Sequence, residues 1–143
     1  MLNKKEKGII KKLRINSRTQ LTKIGRELNI PTSTVFKITK DLERDIIQKY
    51  ISLIDFDKLN YYFRIFLVSN STKKKEFESF LVKDSRVNNI YKISGSYDLI
   101  SEIILKNRKE MESFLEEIKR FKIKEKSIFY IIEECKKESF LNF

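Results

Sequence analysis

The chain of 143 residues contains no histidine. That excludes a Ser-His-Asp triad, a Cys-His dyad and His-ligated zinc or haem. Its three glycines, Gly8, Gly25 and Gly95, stand far apart. Neither a phosphate-cradling P-loop nor a GxGxxG dinucleotide turn can be built from them. A single cysteine, Cys135, allows no intrachain disulfide and no CxxC site, which fits a reducing cytoplasm. Its expected role is packing, buried or at a strand edge. No apolar run approaches the roughly 18 residues of a membrane span, and the opening MLNKKEKG lacks the apolar stretch of a signal peptide. These absences predict a cytoplasmic protein that is not an enzyme, holds no cofactor or metal and enters no membrane.

What is present supports a folded chain. Hydrophobic residues make up 41% and include 11 Phe and 6 Tyr, enough to build a core. With only 3 Gly and 1 Pro, long regular elements joined by short turns are expected. The net charge of +11 is unevenly spread: residues 1–44 carry 12 Lys and Arg against 4 Asp and Glu. A basic block of this kind suits a polyanionic partner, most often nucleic acid, although a lysine-rich solvated surface has the same composition.

Within that block, Asn3 and Glu6 have capping-box spacing ahead of Ile9, Ile10 and Leu13, which predicts a helix over 4–14. Thr19 is the expected cap of a second helix carrying Leu21, Ile24 and Leu28. Pro31 opens a third over 32–44, with Val35, Ile38 and Leu42 on one face. Two short helices joined by a tight turn, the later one basic on its outer face, fit a helix-turn-helix. Ser33, Thr34 and Lys37 are then the candidates for base edges in the major groove, and Lys40, Arg44 and Arg18 for phosphates. A three-helix packing module with solvated lysines is the plainer alternative. The alternation in IIQKYISL, from Ile46 to Leu53, predicts a wing or linker strand.

The second part reads as strand, helix, strand, strand, helix, strand: Tyr61–Ser69, Thr72–Lys83, Val87–Ile93, Asp98–Leu105, Asn107 to about Arg120, and Lys126–Glu133. This is the ferredoxin-like βαββαβ order, with two helices on one face of an antiparallel sheet. The first strand is apolar on both faces, with Phe63, Ile65 and Leu67 opposite Phe66 and Val68. The face without helices therefore needs a cover, most simply a second subunit. The predicted fold class is α+β: a winged helix-turn-helix over 1–52, a linker over 53–60 and a βαββαβ domain over 61–143.

The stretches LNKKEKGIIKKLRINSRTQLTKIGRELNI, TSTVFKITKDLE, DIIQKY and SGSYDLI, taken in order, resemble the leucine-responsive regulator/AsnC family of transcription regulators. The resemblance covers nearly the whole chain. It implies a sequence-specific regulator of double-stranded DNA that self-associates as a homodimer, tetramer or octamer. It also implies an amino-acid or other small effector held near the turn between the second and third strands, which names Gly95, Tyr97 and Asp98. Two positions depart from the family pattern: Asn29 replaces the turn glycine and Asp45 the wing glycine, both residue types that tolerate left-handed backbone. Siroheme decarboxylases resemble the same architecture but use histidines, which this chain lacks. A metabolite sensor or DNA-compacting protein without a specific operator is the alternative function.

Overall fold

The computed structural model describes residues 1–142. Three helices come first: α1 (Lys4–Ile15), α2 (Leu21–Leu28) and α3 (Thr32–Asp45). The α1 start is fixed as the sequence suggests. The Asn3 side chain accepts from the N–H groups of Lys5 and Glu6 at 2.9 and 3.0 Å, and the Asn3 N–H donates to the Glu6 carboxylate at 2.7 Å. Two orphan helix donors are satisfied reciprocally. The Asn3→Ala chain should lose about 1 kcal/mol, read as a lower unfolding midpoint in urea with an unchanged slope.

The cap expected at Thr19 is instead Gln20, which makes no side-chain cap bond. Thr19 N–H is used one turn earlier, on the carbonyl of Asn16. Asn29 ends α2 in the left-handed region, at φ 53° and ψ 51°, the conformation an asparagine tolerates best after glycine. Directly after it the Ile30 N–H returns to the Gly25 carbonyl at 2.8 Å. This tight turn lets Ile9, Ile24 and Val35 meet in a core with no exposure to solvent, joined by Leu13, Ile30 and Leu42.

Ile46–Leu53 forms no strand, which corrects the expected wing. Alternation alone does not make a strand; its N–H and C=O groups need a paired neighbour, and no segment of the described chain ladders with this one. Ile46, Ile51 and Leu53 consequently stay exposed.

After a short 3-10 turn at Asp57–Leu59 the order is β1 (Phe63–Ser71), α4 (Lys74–Lys83), β2 (Val87–Lys92), β3 (Leu99–Leu105), α5 (Arg108–Ile118) and β4 (Ile123–Tyr130). The antiparallel sheet has the order β2-β3-β1-β4, the ferredoxin-like arrangement. Ile65, Leu67, Ile103 and Leu105 face Phe77 and Leu81 of α4 and Phe114 and Ile118 of α5 in a second core. Asn107 caps α5 by accepting from the Glu110 N–H at 3.0 Å; the Glu110 carboxylate turns to the Lys106 N–H instead of closing a full box.

The last strand begins three residues earlier than its apolar run suggests. Ile123 pairs with Ser71 at one end and Tyr130 with Ile65 at the other, so Lys124, Glu125 and Lys126 lie inside the strand. Charged residues are at home on an edge strand, where they discourage further pairing. Ile132 is left almost fully exposed.

By its internal contacts the chain divides into two units, Met1–Leu53 together with the segment from Lys136 onward, and Ile54–Cys135. The tail, assigned from sequence to the second domain, thus packs with the first. Arg14 donates to the Phe140 carbonyl at 2.9 Å and to the Glu138 carboxylate at 3.0 Å. Cys135, expected to be a packing residue, is exposed. Among the described residues no helix is long and apolar enough to cross a membrane.

Candidate functional site

Two surfaces carry the residues singled out from the sequence. The first is the outer stripe of α3. Val35, Thr39 and Leu42 bury one side of the helix, so residues four and seven positions apart on the other side project to solvent. Ser33, Lys37, Lys40 and Arg44 are exposed along that stripe, and Thr34 is half-buried beside them. Arg18, in the turn between α1 and α2, joins Lys40 in lining a shallow hollow of about 310 Å³.

The cations of the stripe differ in what already engages them. Among the described residues Lys37 has no carboxylate within ion-pair distance, unlike its neighbours Lys40 and Arg44. Lys40 Nζ lies 2.9 Å from the Glu43 carboxylate and 5.9 Å from the centre of the exposed Phe36 ring. Arg44 forms two parallel bonds to the neighbouring Asp45, at 2.8 and 2.9 Å, and reaches Asp41 at 3.2 Å. Hydrogen bonding to Asp45 raises the Arg44 pKa and lowers that of Asp45. The residue at the expected glycine position is therefore a competitor for the guanidinium that would otherwise be free for an anion. The Glu43 carboxyl is held low by its bond from Lys40, and it also accepts from the Tyr50 hydroxyl.

The second surface is the hairpin between β2 and β3. Gly95 has φ +130°, and an added Cβ there would meet nothing within 4 Å. Glycine is thus required by the backbone angle, not by crowding. The Tyr97 hydroxyl lies 2.9 Å from Ser127 Oγ on β4, and Asn70 of β1 donates to the Ser96 carbonyl at 2.6 Å. Asp98 donates its N–H to the Ser69 carbonyl, while its carboxylate sits 2.7 Å from Lys74 Nζ. Gly95, Tyr97 and Asp98 are therefore held on one hairpin whose carboxylate already has a cation beside it. The pairing of Lys74 with Asp98 spans α4 and the hairpin and was not visible in the sequence.

A third cluster was missed altogether. Glu102, on β3, is 2% exposed yet lies on the sheet face that carries no helices. It accepts from Arg64 Nε at 2.5 Å, from Asn88 at 2.9 Å and from Asn89 at 2.5 Å, and Arg64 also pairs with Glu134. Burial pushes the Glu102 pKa up, but the bonds from Asn89, Asn88 and Arg64 outweigh it and hold the carboxyl below its ordinary value. Around it the same face presents Phe66, Val68, Ile100 and Ile104, with Phe129 and Tyr91 exposed at its margins. The signal was an acid inside the apolar run ISEIIL opposite an arginine inside YYFRIFLVS.

Comparison with known proteins adds three findings. The profile of the Lrp/AsnC ligand binding domain matches residues 62–140. An uncharacterized HTH-type transcriptional regulator of Pyrococcus abyssi is 30% identical, covering 98% of this chain and 97% of its own, and the regulator FL11 of the same organism is 29% identical over 82% and 80%. Among solved structures, an AsnC family transcriptional regulator from Agrobacterium tumefaciens superimposes with a TM-score of 0.89 at 18% identity, covering 99% and 97% of the two chains. A transcriptional regulator of Neisseria meningitidis in complex with L-Met does so with 0.90 at 16%, covering 97% and 95%.

Proposed function

Because this chain belongs to the Lrp/AsnC family of DNA-binding transcription regulators, we propose that α2, the Asn29 turn and α3 form its helix-turn-helix and that α3 is the reading helix. The observation that carries this is the outer stripe of α3. Ser33, Thr34 and Lys37 project from a helix whose opposite side is locked in the core. A helix of this kind fits the major groove, where hydroxyls and an ammonium meet base edges. Lys40, Arg44 and Arg18 hold phosphates on either side. The unit needs no strand wing for these contacts, since all six residues sit on α3 or the turn before α2.

The open sheet face supports self-association as a dimer. Its apolar residues Phe66, Val68, Ile100 and Ile104 are what a second copy would bury, and the Glu102 cluster among them has its hydrogen bonds made, so it can be covered without stranding a charge. Higher assemblies, and an amino-acid effector at Gly95, Tyr97 and Asp98, extend the same reading. Lys74 already offsets the Asp98 charge through one carboxylate oxygen, so an amino acid's ammonium would compete with Lys74 for that charge.

Binding isotherms across a salt series separate the roles. Lys40→Ala should weaken binding to every duplex alike and reduce the slope of log K against log salt by about 0.9. Thr34→Ala should instead cost roughly 1–3 kcal/mol on the preferred sequence alone. A Lys40→Ala chain that changes sequence preference with an unchanged slope would reverse these assignments. Removing the competitor has the opposite sign: Asp45→Ala frees Arg44 from its two nearest bonds, so affinity for duplex should rise and the slope should steepen by up to about 0.9. An unchanged slope in that variant would mean that Arg44 does not face DNA.

A further inference from the structure

Phe36 is the one exposed apolar side chain of α3, with 54% of its surface open to solvent. It stands three positions after Ser33 and four before Lys40, so it borders the outer stripe one helical turn from each. Thr34, a candidate for a base edge, is less exposed than this ring. We infer that Phe36 is a specificity residue of α3, one that reads the 5-methyl group of a thymine in the major groove. This rests on α3 being the reading helix, and it names a base that the polar residues of the stripe leave unassigned.

A single exposed apolar side chain is ordinary on a protein surface; its position gives this one meaning. The major-groove edges of the four bases present N7, O6 and O4 acceptors, amino donors, and one apolar group, the thymine methyl. Ser33, Thr34 and Lys37 can engage the polar groups. A phenyl ring cannot. Laid against N7 or an amino group, it would strip water from that group and return no hydrogen bond. The methyl is the one base-edge group whose burial against the ring is favourable.

The ring also lies on the matching flank of the helix. With Arg18, Gln20 and Lys40 it lines the hollow of about 310 Å³ beside the start of α2. It therefore stands between the base-edge candidates and two of the cations assigned to phosphates. The thymine methyl occupies the corresponding place in a duplex, because it projects toward the sugar-phosphate backbone of its own strand. The one acid lining the hollow, Glu43, is taken up by Lys40 and the Tyr50 hydroxyl, and the Lys40 ammonium is 5.9 Å from the ring centre. A phosphate at Lys40 and a methyl at Phe36 would then belong to one strand. Residues 46–53 form no strand that could cover the ring instead.

Replacement of single thymines by deoxyuridine, which lacks only the methyl, tests this. The full chain first selects its preferred duplex from a randomised pool, and each thymine of that duplex is then replaced in turn. At one thymine or more the parent should lose about fourfold in affinity, the worth of one buried methyl-sized group. Phe36→Ala should bind the thymine and deoxyuridine duplexes alike at that position, while Phe36→Leu, still apolar, should keep a penalty. The ring is more than half exposed, so both variants should fold as the parent does, which circular dichroism checks. Two results would overturn the inference: no deoxyuridine penalty at any position in the parent, or a penalty undiminished in Phe36→Ala. If Lys37→Ala loses the selected sequence in either case, α3 remains the reading helix and only the role of Phe36 falls. A pool from which the parent enriches no sequence would overturn both.

Discussion

Gly25→Val is expected to unfold the helical unit and abolish DNA binding while leaving the sheet unit folded. A Cβ at this position would stand 2.7 Å from the Ile30 carbonyl oxygen. That oxygen is backbone in the turn that sets α3 against α2, so it cannot swing aside as a side chain would. The branched methyls of valine add to the clash. Overpacking of this kind costs about 3 kcal/mol, and the small helix-propensity gain over glycine offsets well under 1 kcal/mol of it. A core of six buried apolar side chains, three of them with no exposure, supplies a margin of only about 3–5 kcal/mol, so most of it disappears. Two transitions in thermal unfolding, with the first shifted far down, would bear this out. Gly8, whose added Cβ would meet only the end of the Leu28 side chain, is the control: Gly8→Ala should fold and bind as the parent does.

Glu102→Leu is the second large effect. The carboxylate satisfies Arg64, Asn88 and Asn89 at once, and its removal leaves the half-buried Arg64 with Glu134 alone. Breaking a buried pair costs about 3–5 kcal/mol; because Arg64 keeps one partner, the lower end of that range is expected. The cost also depends on pH in a defined direction. The Glu102 pKa is lowered in the folded chain, so its contribution is full above the ordinary glutamate value near 4.3. It fades as pH falls through the lower folded value, where the native carboxylate must take up a proton. Urea unfolding at neutral pH should therefore separate parent from Glu102→Leu most widely, and the gap should narrow as pH falls below the ordinary glutamate value. A gap that persists undiminished in acid would assign the loss to packing rather than to charge.

The same residues explain which parts could be read in advance. Helix starts were legible where a local side chain fixes them, as Asn3 and Asn107 do, because capping depends on residues three positions apart. The start of α2 was not, since Gln20 makes no cap bond and nothing in its composition marks it. The core residues followed from period, and Ile9, Ile24, Val35, Ile65, Leu67 and Phe77 are all buried. The strand expected at Ile46–Leu53 failed because its partner had to come from elsewhere, and a pattern carries no information about pairing. The shift of β4 has the same origin: its register is dictated by Ser71 and Ile65 on β1, while Lys124 and Glu125 read as loop. On the sites, the α3 stripe followed from helical spacing. The competition of Asp45 for Arg44, the Lys74–Asp98 pair and the Glu102 cluster required distances between side chains that the sequence separates by as many as 38 positions.

Footprinting on DNA upstream of the chain's own gene, with excess competitor DNA, tests the central claim most directly when the parent is compared with Lys37→Ala. Lys37 is exposed and has no ion-pair partner among the described residues, so the variant keeps its fold. The parent should protect a bounded stretch of one or two helical turns, or a phased array of them, and Lys37→Ala should lose that boundary while retaining salt-sensitive affinity for any duplex. Uniform coating by both chains, or an unaltered footprint in the variant, would contradict the assignment of α3 as the helix that reads sequence.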